Sequence, residues 1–465
     1  MPILQEGGHP GGGPEGTEVT HATTEATRGP GPEPRPGAAD ESGGGVGVPE
    51  APPTHSPGPG PSPGDSAPLW RNRDYAGWWI SSLVSSLGSA MSQLAYPLLM
   101  LFASGSVARA GLVGAFLNIG GLSTTLLGGV LADRFSRRAL VISCDLIQAI
   151  AVATVVVAVA YGNINVVHIC AVAMIQGMAN GISGASMTPV LKRIVREEQF
   201  PALSASKQGR DMIARLVGPS LGGALFSIAR WLPFLGDSIS FVVSAAGVAA
   251  IRRPLGPDLA DKEAHVSALG SVKEGFEYIR TSAYMRFIVL WTALISALFG
   301  GLVLLVIALI KLRGGGPTTI GLVTAGAAVG GLFGALAAPL LIRTLGTKRL
   351  VIAASWTVVA VIVAMAAAPS PWELGLLGGL AVALVVPLNV ALDAYQLKIV
   401  PDGMLGRVAA AMNFGSSCLL WTAPLSAGFL ADGFGVPTAT LVLAGILAGL
   451  AAWSTLSRAV RGIED

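Results

Sequence analysis

The chain has 465 residues, of which 52% are hydrophobic and 12% charged, with a formal net charge of +3 and a mean hydropathy of +0.64. Soluble domains carry about 25% charged residues, so this composition excludes a soluble protein and indicates a chain that crosses a membrane many times. The three cysteines lie inside apolar stretches, and their spacing fits neither a disulfide framework nor a thiolate metal site. We therefore expect no metal and no other cofactor.

The first stretch, residues 1–66, is rich in glycine and proline and holds nine acidic residues against two arginines. It has too little apolar surface to offset the entropy cost of ordering, so we predict a disordered cytoplasmic tail. The tail is either an interaction arm or a dispensable extension. The chain opens without a basic region followed by an apolar core, so we expect no secretory signal and expect the first apolar segment to direct insertion.

Twelve apolar segments follow, each near or above the roughly 20 residues that a membrane-spanning helix needs. They predict an all-α membrane protein with twelve transmembrane helices. The segments are 77–103, 108–132, 139–160, 164–190, 203–229, 231–251, 286–310, 318–342, 350–369, 374–399, 405–430 and 437–457.

The distribution of lysine and arginine predicts the orientation of these segments. If both termini are cytoplasmic, twenty-three of these cations fall on the cytoplasmic side and four (Arg109, Arg230, Lys311 and Arg313) on the outside, as the positive-inside rule requires. The longest loop divides the segments six and six, an arrangement typical of two pseudo-symmetric halves joined by a linker. The predicted domains are the tail, an N-terminal six-helix half (67–252), a cytoplasmic linker (253–285) and a C-terminal six-helix half (286–465).

The loop between the second and third segments concentrates one acid and three arginines in the six residues 133–138. Its sequence, Gly-Val-Leu-Ala-Asp-Arg-Phe-Ser-Arg-Arg, resembles the corresponding loop of major facilitator superfamily transporters, and its serine resembles the drug, macrolide and siderophore exporter branch. The resemblance implies a conformational lock that holds the two halves together on the cytoplasmic side. A topology signal is the alternative, but it would need only the arginines. The lock residues are Gly129, Asp133, Arg134, Arg137 and Arg138.

Asp145 lies in the third segment, about two turns beyond this loop. An acid in apolar surroundings is costly unless it is paired. We interpret Asp145 as the charge partner of an arginine in the preceding loop, in preference to a proton carrier.

The fifth segment resembles the helix 5 motif of exporters in this superfamily. Its glycines predict close approach of a partner helix, and its proline predicts a bend. Asp211 lies four residues before Arg215, so the two can form an ion pair. The motif residues are Arg215, Gly218, Pro219, Gly222 and Gly223.

Polar side chains recur on one face of several predicted helices, and such groups must face protein or water inside a membrane. They predict a chamber suited to an amphipathic organic molecule. Asp237 is either hydrogen-bonded within the protein or a proton carrier, and Asp393 either contacts substrate or proton or pairs with Lys398. The candidate substrate and proton residues are Gln93, Gln176, Asn180, Asp237, Asn389, Asp393 and Gln396.

These features predict a secondary active transporter that exports a hydrophobic or amphipathic drug, antibiotic or secondary metabolite by alternating access. A proton gradient would drive export, since the chain lacks a phosphate-binding Gly-x-x-x-x-Gly-Lys-Ser/Thr loop. The alternatives are an importer or facilitator of the same fold and, in another class, a non-transporting membrane sensor or an enzyme. The expected partners are a small-molecule substrate and the lipid bilayer, with no nucleic acid, for a monomer in the cell membrane.

Overall fold

The computed structural model describes residues 69–251, 277, 279–280, 283–400 and 404–456. Within these ranges, the side chains of some residues lie outside the description: 125–127, 129–130, 132–134, 188–189, 192–193, 283–284, 395–399, 405 and 410. The predicted tail and almost all of the predicted linker also lie outside it. The predicted domain boundaries therefore stay predictions.

The described residues form α-helices and two short 3₁₀ turns, at Leu69–Arg71 and Glu197–Gln199. The α-helices are α1 (Arg73–Ser104), α2 (Val107–Arg134), α3 (Arg137–Ala160), α4 (Val166–Ile194), α5 (Phe200–Ile228), α6 (Leu232–Ala250), α7 (Ala283–Leu312), α8 (Pro317–Ala367), α9 (Pro371–Ile399), α10 (Leu405–Leu420), α11 (Thr422–Phe434) and α12 (Val436–Leu456).

The all-helical membrane architecture predicted from the sequence is confirmed, while the predicted count of twelve spans stays a prediction. By length and hydropathy, nine helical stretches among the described residues could cross a membrane. Helix α8 contains two predicted spans, which meet at Gly346, where φ is 72° and ψ is 160°. Conversely, α10 and α11 divide one predicted span at Trp421.

Side-chain caps explain why several helices begin where they do. Asn72 precedes α1 and accepts hydrogen bonds from the backbone N–H groups of Asp74 and Tyr75, at 3.1 and 3.4 Å. Ser106 and Ser136 cap α2 and α3 in the same way. Such caps satisfy donors that lack a partner inside the helix. Gly105 ends α1 with φ of 71°, which lets the chain reverse into α2 within two residues.

Contacts between helix ends define the two ends of the bundle. At one end, called the Arg138 end, α2, α4 and α6 finish; Asn72 donates to the carbonyl of Ile194 at 3.0 Å, and Arg138 donates to the carbonyl of Ala249. At the other, called the Lys311 end, α1, α5 and α7 finish. The four cations that the sequence assigned to the outside belong to segments that turn at the Lys311 end.

Helices α2 and α4 pack through glycines along their length. A Cβ atom on Gly120 would overlap the carbonyl oxygen of Met174, and one on Gly177 would overlap that of Leu117. Gly184 lies farther along α4, and a Cβ atom there would meet no atom within 4 Å. Close approach of the two backbones therefore depends on the absence of a side chain at particular positions.

This packing predicts opposite effects for two substitutions in one helix. Gly177→Ala should lower the free energy of unfolding by about 1–3 kcal/mol, the usual cost of overpacking. Gly184→Ala should be neutral or stabilising by up to about 1 kcal/mol, because alanine is the better helix former. Thermal unfolding of the purified protein in detergent measures both. Equal effects of the two changes would contradict the α2–α4 contact.

Candidate functional site

The charged loop between α2 and α3 lies at the Arg138 end. The side chains of Gly129, Asp133 and Arg134 lie outside the described residues, so the lock stays a prediction. Arg138, in the first turn of α3, donates to the carbonyl of Ala249 at the end of α6. A cation at a helix C-terminus is favourable because it satisfies a free carbonyl and complements the helix dipole. Arg137 lies beside it and is partly buried.

Asp145 is buried in α3, with 5% of its surface exposed. The hydroxyl group of Ser244 in α6 lies beside this carboxyl. The side chain of Arg134 lies outside the described residues, so the pair with an arginine of the preceding loop stays a prediction. Helix α3 and helix α6 pack along each other, and Asp145 lies between them, which fits a structural role.

The glycines of the α5 motif face two different helices. A Cβ atom on Gly218 would overlap the Cβ atom of Ala90 in α1, and one on Gly222 would lie 3.0 Å from the Met91 backbone. Gly223 faces α8, where it meets Pro317 and Gly321. Helix α5 thus contacts α1 on one side and a helix of the C-terminal part of the chain on the other. The predicted close approach of partner helices is consistent with this packing.

A polar cleft of about 500 Å³ lies between α1, α4 and α5. Its lining residues lie around the middle of these three helices. Two of the predicted substrate residues, Gln93 and Asn180, line it together with Arg215 of the α5 motif. The described residues that line it are Ser82, Ser85, Ser86, Ser89, Ala90, Gln93, Asn180, Asp211, Ala214 and Arg215.

The carboxylate in this cleft is engaged by an arginine that the sequence analysis did not single out. Oδ1 of Asp211 accepts hydrogen bonds from Nε and Nη2 of Arg210, at 3.0 and 2.7 Å. Nη1 of Arg210 also donates to Ser82 at 2.5 Å, and the guanidinium lies 5.6 Å from the ring centroid of Trp78. The ion pair of Asp211 is therefore with Arg210 and not with the predicted Arg215.

Asp237 of α6 is fully buried and joins a hydrogen-bond network with α1 and α4. Its Oδ2 accepts from Nε2 of Gln176 at 2.9 Å, and Oε1 of Gln176 accepts from the hydroxyl of Tyr96 at 3.0 Å. Its Oδ1 lies 3.5 Å from the hydroxyl groups of Ser89 and Ser240. Asp237 is therefore hydrogen-bonded within the protein. Ser238, the next residue of α6, donates to the carbonyl of Ala149 at 2.8 Å.

Ser89 connects this network to the cleft. Its hydroxyl lies within hydrogen-bond distance of Asp237, and the residue lines the cleft. The hydrogen-bond partners of the Asp237 carboxyl within the described residues are neutral side chains: Gln176, Ser89 and Ser240. A carboxyl group therefore lies one hydroxyl away from a polar, solvent-accessible space.

The candidate residues on α9 do not join this arrangement. Asn389 and Asp393 are exposed, and neither lines the cleft. The side chain of Gln396 lies outside the described residues, as does that of Lys398, so the suggested pair between Asp393 and Lys398 stays a prediction. The four candidate residues of α1, α4 and α6 thus lie in the cleft or in the adjoining hydrogen-bond network, whereas Asn389 and Asp393 of α9 do not.

Two charged residues to which the sequence analysis gave no role in a site hold the turn between α1 and α2 at the Lys311 end. Asp432 of α11 accepts hydrogen bonds at the start of α2, from Ser106 Oγ at 2.5 Å, Val107 N at 2.8 Å and Ala108 N at 3.1 Å. Lys311 of α7 donates to the carbonyl of Leu101 near the end of α1. We call this pair the turn clamp. Each charge opposes the partial charge of the helix end that it contacts.

The turn clamp predicts that the Lys311 end opens more readily without the charge of Asp432. Asp432→Asn should weaken the closed state by about 1 kcal/mol or more, since hydrogen bonds to charged groups exceed neutral ones. The closed-to-open ratio should therefore fall about fivefold. Spin labels on cysteines at positions 109 and 433, in a variant with serine at positions 144, 170 and 418, would report longer distances in lipid nanodiscs.

Glu373→Gln is the matched control for this change. Glu373 is an exposed acid in the first turn of α9 at the same end of the bundle. It should leave the distance distribution unchanged. An unchanged distribution for Asp432→Asn would show that the carboxylate does not hold this end closed.

The sequence of the chain is similar to those of known transport proteins. The family described as "Transmembrane secretion effector" matches residues 64–465. The multidrug efflux pump Tap of Mycolicibacterium fortuitum is 23% identical over 381 residues, which cover 78% of this chain and 90% of that protein. Macrolide efflux protein A of Streptococcus pyogenes is 26% identical over 180 residues, which cover 38% of this chain and 44% of that protein.

Solved structures agree with the fold. The nucleoside transporter NupG has a TM-score of 0.65 at 17% identity and covers 84% of this chain and 100% of its own. A bacterial homologue of the iron transporter ferroportin, in an inward-facing state, has a TM-score of 0.66 at 16% identity with the same coverage. The match over residues 64–465 shows that the chain belongs to the transmembrane secretion effector family of major facilitator superfamily transporters.

Proposed function

We propose that the protein exports an amphipathic small molecule by alternating access, driven by the proton gradient, with both termini and the Arg138 end in the cytoplasm. The observation that carries the proposal is the polar cleft between α1, α4 and α5, which lies next to the buried carboxyl of Asp237. The positive-inside distribution of lysine and arginine supports this orientation.

In this proposal, the described structure is closed at the Lys311 end. Helices from the N-terminal and C-terminal parts of the chain meet there, through Gly223 against Gly321 and through the turn clamp. A Cβ atom on Gly111 of α2 would overlap the carbonyl oxygen of Pro424 in α11, so these helices also touch closely. Substrate would enter the cleft from the Arg138 end and leave after the Lys311 end has opened.

Asp237 is the proposed proton carrier. Its carboxyl group is the carboxylic acid of the Tyr96–Gln176–Asp237 network, since Gln176 does not titrate and a phenol such as that of Tyr96 ordinarily ionises only near pH 10. The network joins α1, α4 and α6, so a change in its protonation state alters hydrogen bonds between three helices at once. Ser89 gives the carboxyl a contact with the cleft wall, through which protonation and substrate binding can affect each other.

The similar proteins support export, rather than import, as the direction of transport. Both are described as efflux proteins, one for multiple drugs and one for macrolides. The cleft supports an organic substrate with a polar part, since hydroxyl, amide and guanidinium groups line it. The lock residues Asp133 and Arg134 would then stabilise the opposite, outward-open state, as the family resemblance implies.

The test is accumulation of lipophilic dyes, macrolides and anthracyclines in cells that express the wild type, Asp237→Asn or Asp393→Asn, each with and without a protonophore. The wild type should lower the accumulation of at least one compound, and the protonophore should abolish this effect. Asp237→Asn should abolish gradient-driven export, because the amide cannot carry a proton in this pH range. Asp393→Asn should retain it.

Two outcomes would contradict the proposal in different ways. Higher accumulation in wild-type cells than in cells without the protein would indicate import. Loss of protonophore-sensitive export in Asp393→Asn but not in Asp237→Asn would move the proton site from α6 to α9. Surface expression of each variant, measured by labelling the intact membrane fraction, separates lost transport from lost protein.

A further inference from the structure

The charges of the cleft select against positively charged ligands. Two charged residues line it, Asp211 and Arg215. The carboxylate of Asp211 is bound by Arg210, while the exposed guanidinium of Arg215 has no recorded partner among the described residues. With Arg210 included, two positive charges stand against one negative charge. A cationic ligand would be repelled by Arg215 and would have to compete with Arg210 for Asp211.

The cleft also lacks the second common means of holding an organic cation. Proteins bind ammonium groups over the faces of tryptophan, tyrosine or phenylalanine rings, and none of the described lining residues is aromatic. The ring of Trp78 already faces Arg210, whose guanidinium lies 5.6 Å from the ring centroid. Asp237 lies behind the wall, fully buried, and does not line the cleft.

The uncharged groups of the lining favour a ligand that carries oxygen atoms and no positive charge. Gln93 and Asn180 contribute amide groups, and Ser85 and Ser86 contribute hydroxyl groups that have no recorded partner among the described residues. Amide and hydroxyl groups both donate and accept hydrogen bonds, whereas Arg215 only donates. The lining can therefore bind oxygen acceptors, such as hydroxyl, carbonyl and ether groups on the ligand, and its donor-only Arg215 favours them.

We propose that this cleft binds amphipathic molecules with an oxygen-rich polar part and no positive charge, and that Arg215 sets this charge preference. The inference rests on the proposed function for the identity of the cleft as the substrate site. It narrows the substrate class, because many amphipathic drugs carry an ammonium group. Arg215 acts here as a specificity-determining residue that contacts the ligand directly.

A pair of probes that differ in charge tests the proposal. Daunorubicin carries an amino sugar that is cationic at neutral pH, and N-acetyldaunorubicin has the same ring system and sugar without the charge. Binding of each to the purified full-length protein in detergent is followed by anthracycline fluorescence anisotropy. The wild type should bind the acetylated probe at least tenfold more tightly, which corresponds to about 1.4 kcal/mol.

Variants at Arg215 assign the preference to this residue. Arg215→Gln should reduce the gap between the two probes to less than about threefold, whereas Arg215→Lys, which keeps the charge, should retain most of it. Arg230→Gln is the matched control: Arg230 is an exposed arginine in the turn between α5 and α6, outside the cleft. It should leave the affinity for both probes unchanged, and retention of the gap in Arg215→Lys shows that the protein remains folded.

Three results would overturn the proposal: binding of daunorubicin as tight as that of its acetyl derivative, no binding of the acetylated probe, or a gap that Arg215→Gln leaves intact. The same probes separate this proposal from the proposed function. Export of cationic compounds with a protonophore-sensitive rate would leave the transport proposal standing and refute the charge preference. Tight, charge-selective binding without any gradient-driven movement would do the reverse.

Discussion

The structure depends on the need to satisfy polar groups where the bilayer supplies no water. Helices satisfy their own backbones along their length, but each end leaves free N–H or C=O groups, and every polar side chain within a span needs a protein partner. The turn clamp meets this need at the junction of α1 and α2 with two charges from distant parts of the chain, Lys311 and Asp432. The Asp237 network meets it inside the bundle with neutral donors.

This constraint makes polar contacts and helix packing inseparable. The network of Tyr96, Gln176 and Asp237 forms only because α1, α4 and α6 come close, and small residues permit that approach. Gly88 of α1 faces Ser240 and Asp237 so closely that a Cβ atom would overlap the serine hydroxyl. The same helices then leave one face of α1, from Ser82 to Gln93, open to a cleft. Packing on one side and solvent access on the other are properties of a single helix.

The sequence predicted those features that depend on local composition. The lengths of the apolar segments predicted where the helices lie. Gly218, Gly222 and Gly223 predicted the faces of α5 that contact other helices. Features that depend on partners far along the chain were beyond it. The i, i+4 spacing suggested that Asp211 pairs with Arg215, yet Arg210 reaches Asp211 because Ser82 and Trp78 of α1 orient its guanidinium. Spacing within α5 alone cannot predict contacts with a second helix.

The same limit applies to the acids. The apolar sequence around Asp237 indicated that its carboxyl group needs hydrogen-bond partners. Which residues of α1 and α4 supply them became known only from the folded arrangement. The sequence analysis used Lys311 only to predict orientation and did not single out Asp432, because charges near helix ends are common and carry no motif. Asp393 drew notice through its spacing with Asn389, whereas the described cleft lies on other helices. A polar stripe therefore indicates a face toward protein or water, without indicating which space it faces.

The single hydroxyl proton of Ser89 links Asp237 to the cleft. The group can donate one hydrogen bond at a time, so it serves either the Asp237 carboxyl or an acceptor on a molecule in the cleft. Any ligand that takes this proton alters the environment of the acid, and by thermodynamic reciprocity the state of the acid changes ligand affinity by the same factor. A shared donor is the smallest unit through which two binding equilibria can be linked.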